Sequence, residues 1–128
     1  FGYVTLLKLK LETGRTHQIR VHLSSIHHPV FGDPTYGGRE IVYGSNLPKM
    51  VSRTKNLLEI MKRQALHAKN LGFIHPHKKE FVRFDSELPE DILQLISELK
   101  STFSFSFSSR SESARVSFSR SILSFSNS

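Results

Sequence analysis

Two arginines near the start of a helical pattern are the side chains of this sequence best suited to chemistry. Residues 14–20 read GRTHQIR and place Arg15 and Arg20 around a helix start, where the first backbone amides lack partners within the helix. Amides and guanidinium groups in this arrangement hold phosphate or carboxylate, and arginine can do so through two parallel hydrogen bonds. Taken alone, such a pair is more often a solvated surface feature, so its interpretation depends on the rest of the chain.

Seven histidines suggest a metal site, but their spacing argues against one. His17, His22 and His27 step by five residues, which turns successive side chains by about 140 degrees around a helix, whereas ligands on one helix face are three or four residues apart. The chain also has no cysteine. We therefore predict no metal, and we interpret His67 as a hydrogen-bonded histidine of the core.

The loop at residues 28–38, HPVFGDPTYGG, contains a further carboxylate and a tyrosine. Asp33 could serve as a nucleophile or accept backbone hydrogen bonds in its turn. Tyr36, and Tyr43 beyond the loop, could stack on a base, but packing within the loop or core is the favoured interpretation. Val30 and Phe31 predict that the loop is anchored to a core and ordered.

Composition and charge limit the classes of protein to which this chain can belong. The 128 residues, 38% of them apolar, suffice for one domain, and the absence of cysteine excludes disulfide frameworks and thiolate catalysis. No apolar run approaches the length of a membrane span. Residues 1–79 carry 13 lysines and arginines against 4 acidic residues, whereas residues 80–100 carry 2 against 6. The first part is therefore predicted to bind a polyanionic partner.

Hydrophobic periodicity predicts the elements that must position these residues. Residues 3–12 alternate with a period of two, which indicates a strand with one buried face. Thr16 is predicted to cap a helix whose apolar stripe is Ile19, Leu23 and Ile26, ending before Pro29. The remaining predicted elements are a helix over 51–63, a strand over 64–73, a hairpin turn over 74–80, a strand over 81–84, and a helix after Pro89 with packing residues Ile92, Leu95, Ile96 and Leu99.

The composition changes at Ser101. Of the last 28 residues 13 are serine and five are phenylalanine, and we expect no packed structure in this tail. The alternation in residues 101–109, STFSFSFSS, leaves open an attachment to a sheet edge.

Four sequence segments, taken in their order along the chain, match the motifs of a known family. They are GRTHQIRVHL at 14–23, HPVFGDPTYGG at 28–38, RQALHAKNLGFIHP at 63–76, and FDSELPEDI at 84–92. Together they resemble the RluA-like family of RNA pseudouridine synthases over nearly all of residues 3–99. The resemblance implies an α+β fold with a mixed, largely antiparallel sheet and packed helices. Residues 1–100 would form the C-terminal portion of the catalytic domain, and 101–128 would be a low-complexity tail.

The resemblance also implies roles for individual residues. The family's matching Gly-Asp loop is structural, so Asp33 is expected to accept backbone hydrogen bonds in the turn rather than to act as the nucleophile. Arg20 matches the position whose guanidinium pairs with the family's nucleophilic aspartate, and the His-Arg-Leu-Asp sequence that carries this aspartate does not occur in the 128 residues. The chain is therefore expected to be part of a longer enzyme and inactive alone. The implied reaction converts a uridine in ribosomal or transfer RNA to pseudouridine and needs no cofactor. Expected RNA contacts are Arg15, His17, Lys8 and Lys10, with Lys69 and Lys78 as weaker candidates.

Three other interpretations stay open at this point. The chain could be a non-catalytic RNA-binding module, a metal-dependent nuclease or phosphoesterase that uses the histidines, or a degenerate fragment without function. The first of these is the main alternative, because the basic first part explains RNA binding without any isomerisation. In each case we expect a monomer that does not enter membranes, located in the cytoplasm or in an organelle.

Overall fold

The computed structural model describes residues 4–40, 48–107 and 121–127. In chain order the elements are β1 (Val4–Lys10), α1 (Gln18–Ser25), α2 (Pro48–Ile60), β2 (Leu66–Ile74), β3 (Phe81–Asp85), α3 (Glu90–Phe107) and β4 (Ser121–Asn127). Tyr43, one of the two tyrosines considered for base stacking, lies outside the described residues. Within the described ranges, no helix has the combination of length and apolar composition that crossing a bilayer requires.

The four described strands form one mixed sheet in the order β1, β4, β2, β3. β2 and β3 are antiparallel, with Leu71 opposite Phe84 and Phe73 opposite Val82. β4 runs parallel to both of its neighbours, β1 and β2. The predicted α+β class and mixed sheet are confirmed. The expectation of a largely antiparallel sheet does not hold for these strands, because the strand between β1 and β2 comes from the C-terminal tail and runs in the direction of both.

Part of the tail is folded, which differs from the prediction of no packed structure there. α3 continues to Phe107, beyond the predicted boundary at residue 100, and residues 121–127 form β4. The alternating residues 101–107 lie in α3, so the attachment to a sheet edge that was left open for this stretch is not found there; residues 121–127 instead pair with both β1 and β2. Residues 108–120 and 128 lie outside the described part of the chain.

The helix after the first strand begins later than predicted. α1 starts at Gln18, and its N-cap is His17 in the left-handed region (φ 52°), without a side-chain cap. The prediction that Thr16 caps the helix is therefore wrong. The turn before the helix is closed instead by the Gln18 side chain, whose Oε1 accepts hydrogen bonds from the Thr13 hydroxyl at 2.9 Å and the Arg15 amide at 3.0 Å.

Two hydrophobic clusters hold the elements together. The larger one contains Val4 of β1, residues of α2 and the packing face of α3, with Ile92 and Leu95 fully buried. The smaller one contains Ile19 and Leu23 of α1 together with Val30, and β1 contributes Leu7 and Leu9 to it. Because neighbouring side chains of a strand point to opposite faces, Val4 and the leucines place the clusters on the two sides of β1. Ile26, predicted for the α1 stripe, is instead 58% exposed.

Candidate functional site

A closed loop lies beside the start of α1 and forms the frame of the site. The Gly32 amide donates to the Gly38 carbonyl at 2.9 Å, and the Gly38 amide donates back to the Asp33 carbonyl at 2.9 Å. Gly38 has no room for a side chain, since a Cβ there would lie 1.8 Å from the Val30 carbonyl oxygen. Val30 and Phe31, 0% and 2% exposed, anchor the loop as predicted.

The loop brings Asp33 to Arg20 of α1. Arg20 Nε donates to Asp33 Oδ2 at 2.7 Å, and Nη2 donates to Oδ1 at 2.8 Å, which is a bidentate pair. The Arg20 side chain is 10% exposed and the Asp33 side chain is fully buried. A buried ion pair of this kind fixes the direction of the guanidinium group, because leaving either partner alone in the interior would be costly.

Backbone amides of the same turn also hold the Asp33 carboxylate. Its Oδ1 accepts hydrogen bonds from the backbone amides of Thr35 at 2.9 Å and Tyr36 at 3.2 Å. The predicted role in accepting backbone hydrogen bonds is thus confirmed. Burial opposes the charged carboxylate, but the hydrogen bonds from Arg20, Thr35 and Tyr36 outweigh burial and lower the pKa of Asp33 below its ordinary value. The same contact with Asp33 raises the pKa of Arg20.

Tyr36 packs against the charged pair and the helix start. Its ring centroid lies 4.9 Å from Arg20 Cζ, within cation–π range. Its hydroxyl is 3.1 Å from Nδ1 of His17, and the two rings meet edge to face at 5.8 Å. The Ser24 hydroxyl donates to the Tyr36 carbonyl at 3.1 Å. The favoured interpretation, packing within the loop, therefore describes the contacts of Tyr36.

Sequence reasoning did not anticipate the pairing of Arg20 with Asp33. A usable signal was present, because Arg20 lies next to Ile19 and three residues before Leu23, on the side of the helix that the apolar pattern buries. A buried arginine needs a carboxylate partner, and Asp33 is the only acidic residue between Glu12 and Glu40. The predicted pairing of Arg20 with a nucleophilic aspartate stays a prediction.

Arg20 retains hydrogen-bonding capacity beside this pair. Asp33 uses Nε and one N–H of Nη2, and none of the hydrogen bonds found among the described residues uses Nη1. A guanidinium has five N–H donors, and Asp33 uses two of them. Geometrically, Asp33 supports Arg20 along the Nε–Nη2 edge of the guanidinium.

The predicted RNA-binding residues divide into two places. Arg15 and His17 lie in the turn that leads into α1, Lys8 and Lys10 lie on β1, and all four are exposed. Lys8 and Lys10 share one face of the strand, because they are two residues apart. Lys69, a weaker candidate, is paired with Asp85 at 2.5 Å. RNA binding by these residues stays a prediction.

The histidines do not converge in the described part of the chain. No three His, Asp or Glu side chains in residues 4–40, 48–107 and 121–127 are placed to hold a metal ion. His67 is half-buried, and its Nε2 lies 3.5 Å from the Ser86 carbonyl oxygen. That contact is at the long limit of a hydrogen bond.

The chain is similar in sequence to several RNA pseudouridine synthases. It is 43% identical over 108 residues to an uncharacterized RNA pseudouridine synthase of Chlorobaculum parvum, covering 82% of the chain and 32% of the relative. It is 46% identical over 100 residues to ribosomal large subunit pseudouridine synthase D of Haemophilus influenzae, covering 77% of the chain and 29% of the relative. For the protein of the same name in Pseudomonas aeruginosa, the identity is 47% over 97 residues, with 75% and 29% covered.

The matches cover most of this chain but a minor part of each relative. The chain spans about a third of the length of the proteins it matches. No family model matches the chain. At this level of identity the predicted resemblance is confirmed, and over the matched stretch the chain belongs to the family of RNA pseudouridine synthases.

Proposed function

We propose that the chain forms one wall of the catalytic cleft of an RNA pseudouridine synthase that acts on ribosomal RNA. The observation that carries the proposal is the buried Arg20–Asp33 pair. It holds the guanidinium in one orientation, and Asp33 does not contact Nη1. The relatives named ribosomal large subunit pseudouridine synthase D support ribosomal rather than transfer RNA as the substrate class. A cytoplasmic location and a monomeric state stay predictions from the sequence.

In this proposal Arg20 holds the nucleophilic carboxylate of the enzyme. The carboxylate comes from polypeptide outside these 128 residues, because the expected His-Arg-Leu-Asp sequence is not among them. A fixed cation beside a carboxylate lowers its pKa and keeps it ionised, and the bidentate geometry of arginine also fixes its direction. Asp33 positions Arg20 for this task, since it occupies the adjacent Nε–Nη2 edge of the guanidinium.

The proposed reaction is an isomerisation without cofactor. The bond between the uracil nitrogen and the ribose carbon breaks, the uracil turns within the site, and a carbon of the ring forms the new bond to the same ribose carbon. The ring carbon loses a proton and the nitrogen gains one, so atoms and charge balance. The target uridine must leave its base stack, which costs a few kcal/mol that protein contacts offset.

RNA binding is assigned in this proposal to the exposed cations near the site. Lys8 and Lys10 on β1, with Arg15 and His17 before α1, would contact phosphates, which position RNA without reading its sequence. Such contacts weaken as the salt concentration rises. The identity of the modified uridine would then depend on parts of the enzyme other than these side chains.

The test joins the full chain to an upstream segment from a relative that contains the His-Arg-Leu-Asp sequence. The joined protein should form pseudouridine in ribosomal RNA, and the chain alone should not. Arg20→Lys keeps the charge but lacks the planar fork, so turnover should fall roughly a hundredfold while RNA affinity stays within about twofold. Arg63→Lys is the matched control, because Arg63 makes a similar bidentate pair with Asp91.

Three results would contradict the proposal. If the joined protein binds RNA without forming pseudouridine, the alternative of a non-catalytic RNA-binding module is favoured. If Arg20→Lys and Arg63→Lys lower turnover equally, Arg20 has no special role in catalysis. Inhibition by a chelator would point instead to a metal-dependent nuclease or phosphoesterase.

A further inference from the structure

One face of the β2–β3 hairpin is apolar and open to solvent. Leu71, Phe73 and Phe84 are 51%, 42% and 57% exposed, and they share this face with Val82, because Leu71 lies opposite Phe84 and Phe73 opposite Val82. The rings of Phe73 and Phe84 stack with centroids 6.0 Å apart. We call these four residues the hairpin apolar face.

The two hydrophobic clusters of the described fold leave this face uncovered. Neither cluster includes any of its four residues. Single exposed apolar side chains are ordinary on protein surfaces, but three adjoining ones next to the half-buried Val82, with two stacked aromatic rings, make a contiguous patch. Patches of this kind mark contacts with another polypeptide, a nucleic acid or a membrane.

The charges around the face favour an apolar protein partner over RNA. Lys69, the nearest lysine along β2, is ion-paired with Asp85. Arg83 lies opposite Gly72 and therefore points to the other side of the hairpin. Aromatic platforms that bind single-stranded RNA are combined with cations that follow the phosphates. The exposed Lys78 and Lys79 belong to the hairpin turn, beyond the strand ends, and not to the hairpin apolar face.

The lengths of the relatives indicate which polypeptide could cover the hairpin apolar face. The matched stretch makes up 32% of one relative and 29% of two others. More than two thirds of these proteins therefore consists of polypeptide without a counterpart in the matched stretch. A domain has to bury its apolar faces against neighbouring layers, so polypeptide from that remainder is a natural cover for an open sheet face.

We propose that the hairpin apolar face is the docking surface for an apolar face of the family's polypeptide outside the matched stretch. The contact would complete the hydrophobic core on this side of the sheet. The proposal rests on family membership and not on the chemistry assigned to Arg20. Either one can therefore fail without the other.

Because the chain contains no cysteine, a single introduced thiol can report whether another polypeptide covers the hairpin apolar face. Phe84→Cys places a single thiol on the hairpin apolar face, and Leu93→Cys places one on α3, where Leu93 is 51% exposed and thus comparable to Phe84 at 57%. In the full chain alone, both thiols should react with a maleimide at similar rates. The chain is then fused behind the unmatched part of the Haemophilus influenzae relative, with the cysteines of that part replaced by serine.

In the fused protein the thiol from Phe84→Cys should react at least tenfold more slowly, and the thiol from Leu93→Cys should keep its rate. Rates are compared only for fused protein that is monodisperse and unfolds cooperatively. Equal rates for the two thiols in the fused protein would overturn the proposal. Protection of Phe84→Cys in the unfused chain only at high concentration would assign the face to a second copy. Protection only by a single-stranded oligouridine would assign it to RNA, and either result would also overturn it.

Discussion

At the scale of single residues, Asp33 is the side chain on which the site depends most. It has no exposed surface and makes two hydrogen bonds to Arg20 and two to backbone amides. The two bonds from Arg20 join α1 to the loop at 28–38, and the two from the Thr35 and Tyr36 amides hold the carboxylate in place within that loop. A change at Asp33 should therefore affect both stability and the direction in which Arg20 points.

Substitution of the carboxylate by an amide tests this dependence. Asp33→Asn leaves the Arg20 charge buried without a counter-ion, and the free energy of unfolding should fall by about 3 kcal/mol. The measurement is urea unfolding followed by circular dichroism. Asp85→Asn is the control, because Asp85 pairs with Lys69 at the surface, and its effect should be much smaller. Equal losses for the two variants would show that burial of the Arg20–Asp33 pair does not matter.

The lowered pKa of Asp33 predicts how stability depends on pH. The ordinary value is 3.8, and the folded protein holds the carboxyl below it. Stabilisation by the charged form is therefore complete above the ordinary pKa and is lost as the pH falls through the lower, folded-state pKa. Wild type should lose stability below about pH 4 more steeply than Asp33→Asn. The pKa of Asp85 is also lowered, mainly by its hydrogen bond to Lys69, so the difference between wild type and Asp33→Asn is the informative quantity.

At the scale of elements, side chains from the loops tie the helices to the sheet. Arg63 makes a bidentate pair with Asp91 in the first turn of α3 and donates to the Leu66 carbonyl at the start of β2. Arg39, just after the loop at 28–38, donates to the carbonyls of Met61 at 3.3 Å and Leu58 at 3.5 Å and so satisfies the C-terminal end of α2. The loop that carries Asp33 is thereby attached to α2 as well as to α1.

Two neighbouring glycines of this loop should respond differently to alanine. Gly38→Ala would place a Cβ 1.8 Å from the Val30 carbonyl oxygen and 2.6 Å from the Asp33 amide, so the loop must open, at a cost of about 3 kcal/mol or more. At Gly37 a Cβ meets no atom within 4 Å, and the positive φ of 82° alone should cost about 1–2 kcal/mol. Thermal unfolding measures both. A loss for Gly38→Ala no larger than for Gly37→Ala would contradict the closed loop.

At the scale of the whole molecule, β4 connects the two parts of the sheet. β1 pairs with β4 from Val4 to Lys10, and β2 pairs with β4 from Leu66 to Asn70, whereas β1 and β2 have no pairing with each other. Removal of β4 would therefore expose two strand edges that face each other across the width of one strand.

Deletion of residues 121–128 tests whether β4 holds the sheet together. Amides of β1 should exchange with deuterium at least tenfold faster, since their hydrogen-bonding partner strand is gone. Amides of β3 should keep their protection, because β3 pairs with β2 and not with β4. Hydrogen exchange followed by mass spectrometry makes the comparison. Unchanged exchange in β1 would mean that β1 is protected without β4.

The amino-acid sequence by itself determined the elements with strong local patterns and the family. The two-residue period of β1, the apolar face of α3 and the β2–β3 hairpin follow from spacings within a few residues, where propensity and burial act together. The glycines of the loop at 28–38 and the four family strings are equally local. These features could be predicted because each is decided by neighbours in the chain.

Only the tertiary structure decided the partner of Arg20, the position of the tail and the open face of the hairpin. Arg20 meets Asp33 across 13 residues, and β4 meets β1 across more than a hundred. The apolar pattern of α1 marks Arg20 as a residue that needs a buried partner, but which surfaces meet depends on what remains to be buried once the elements have formed. The same reason explains the sheet direction, because a tail strand that enters between β1 and β2 changes the pairing without changing any local signal.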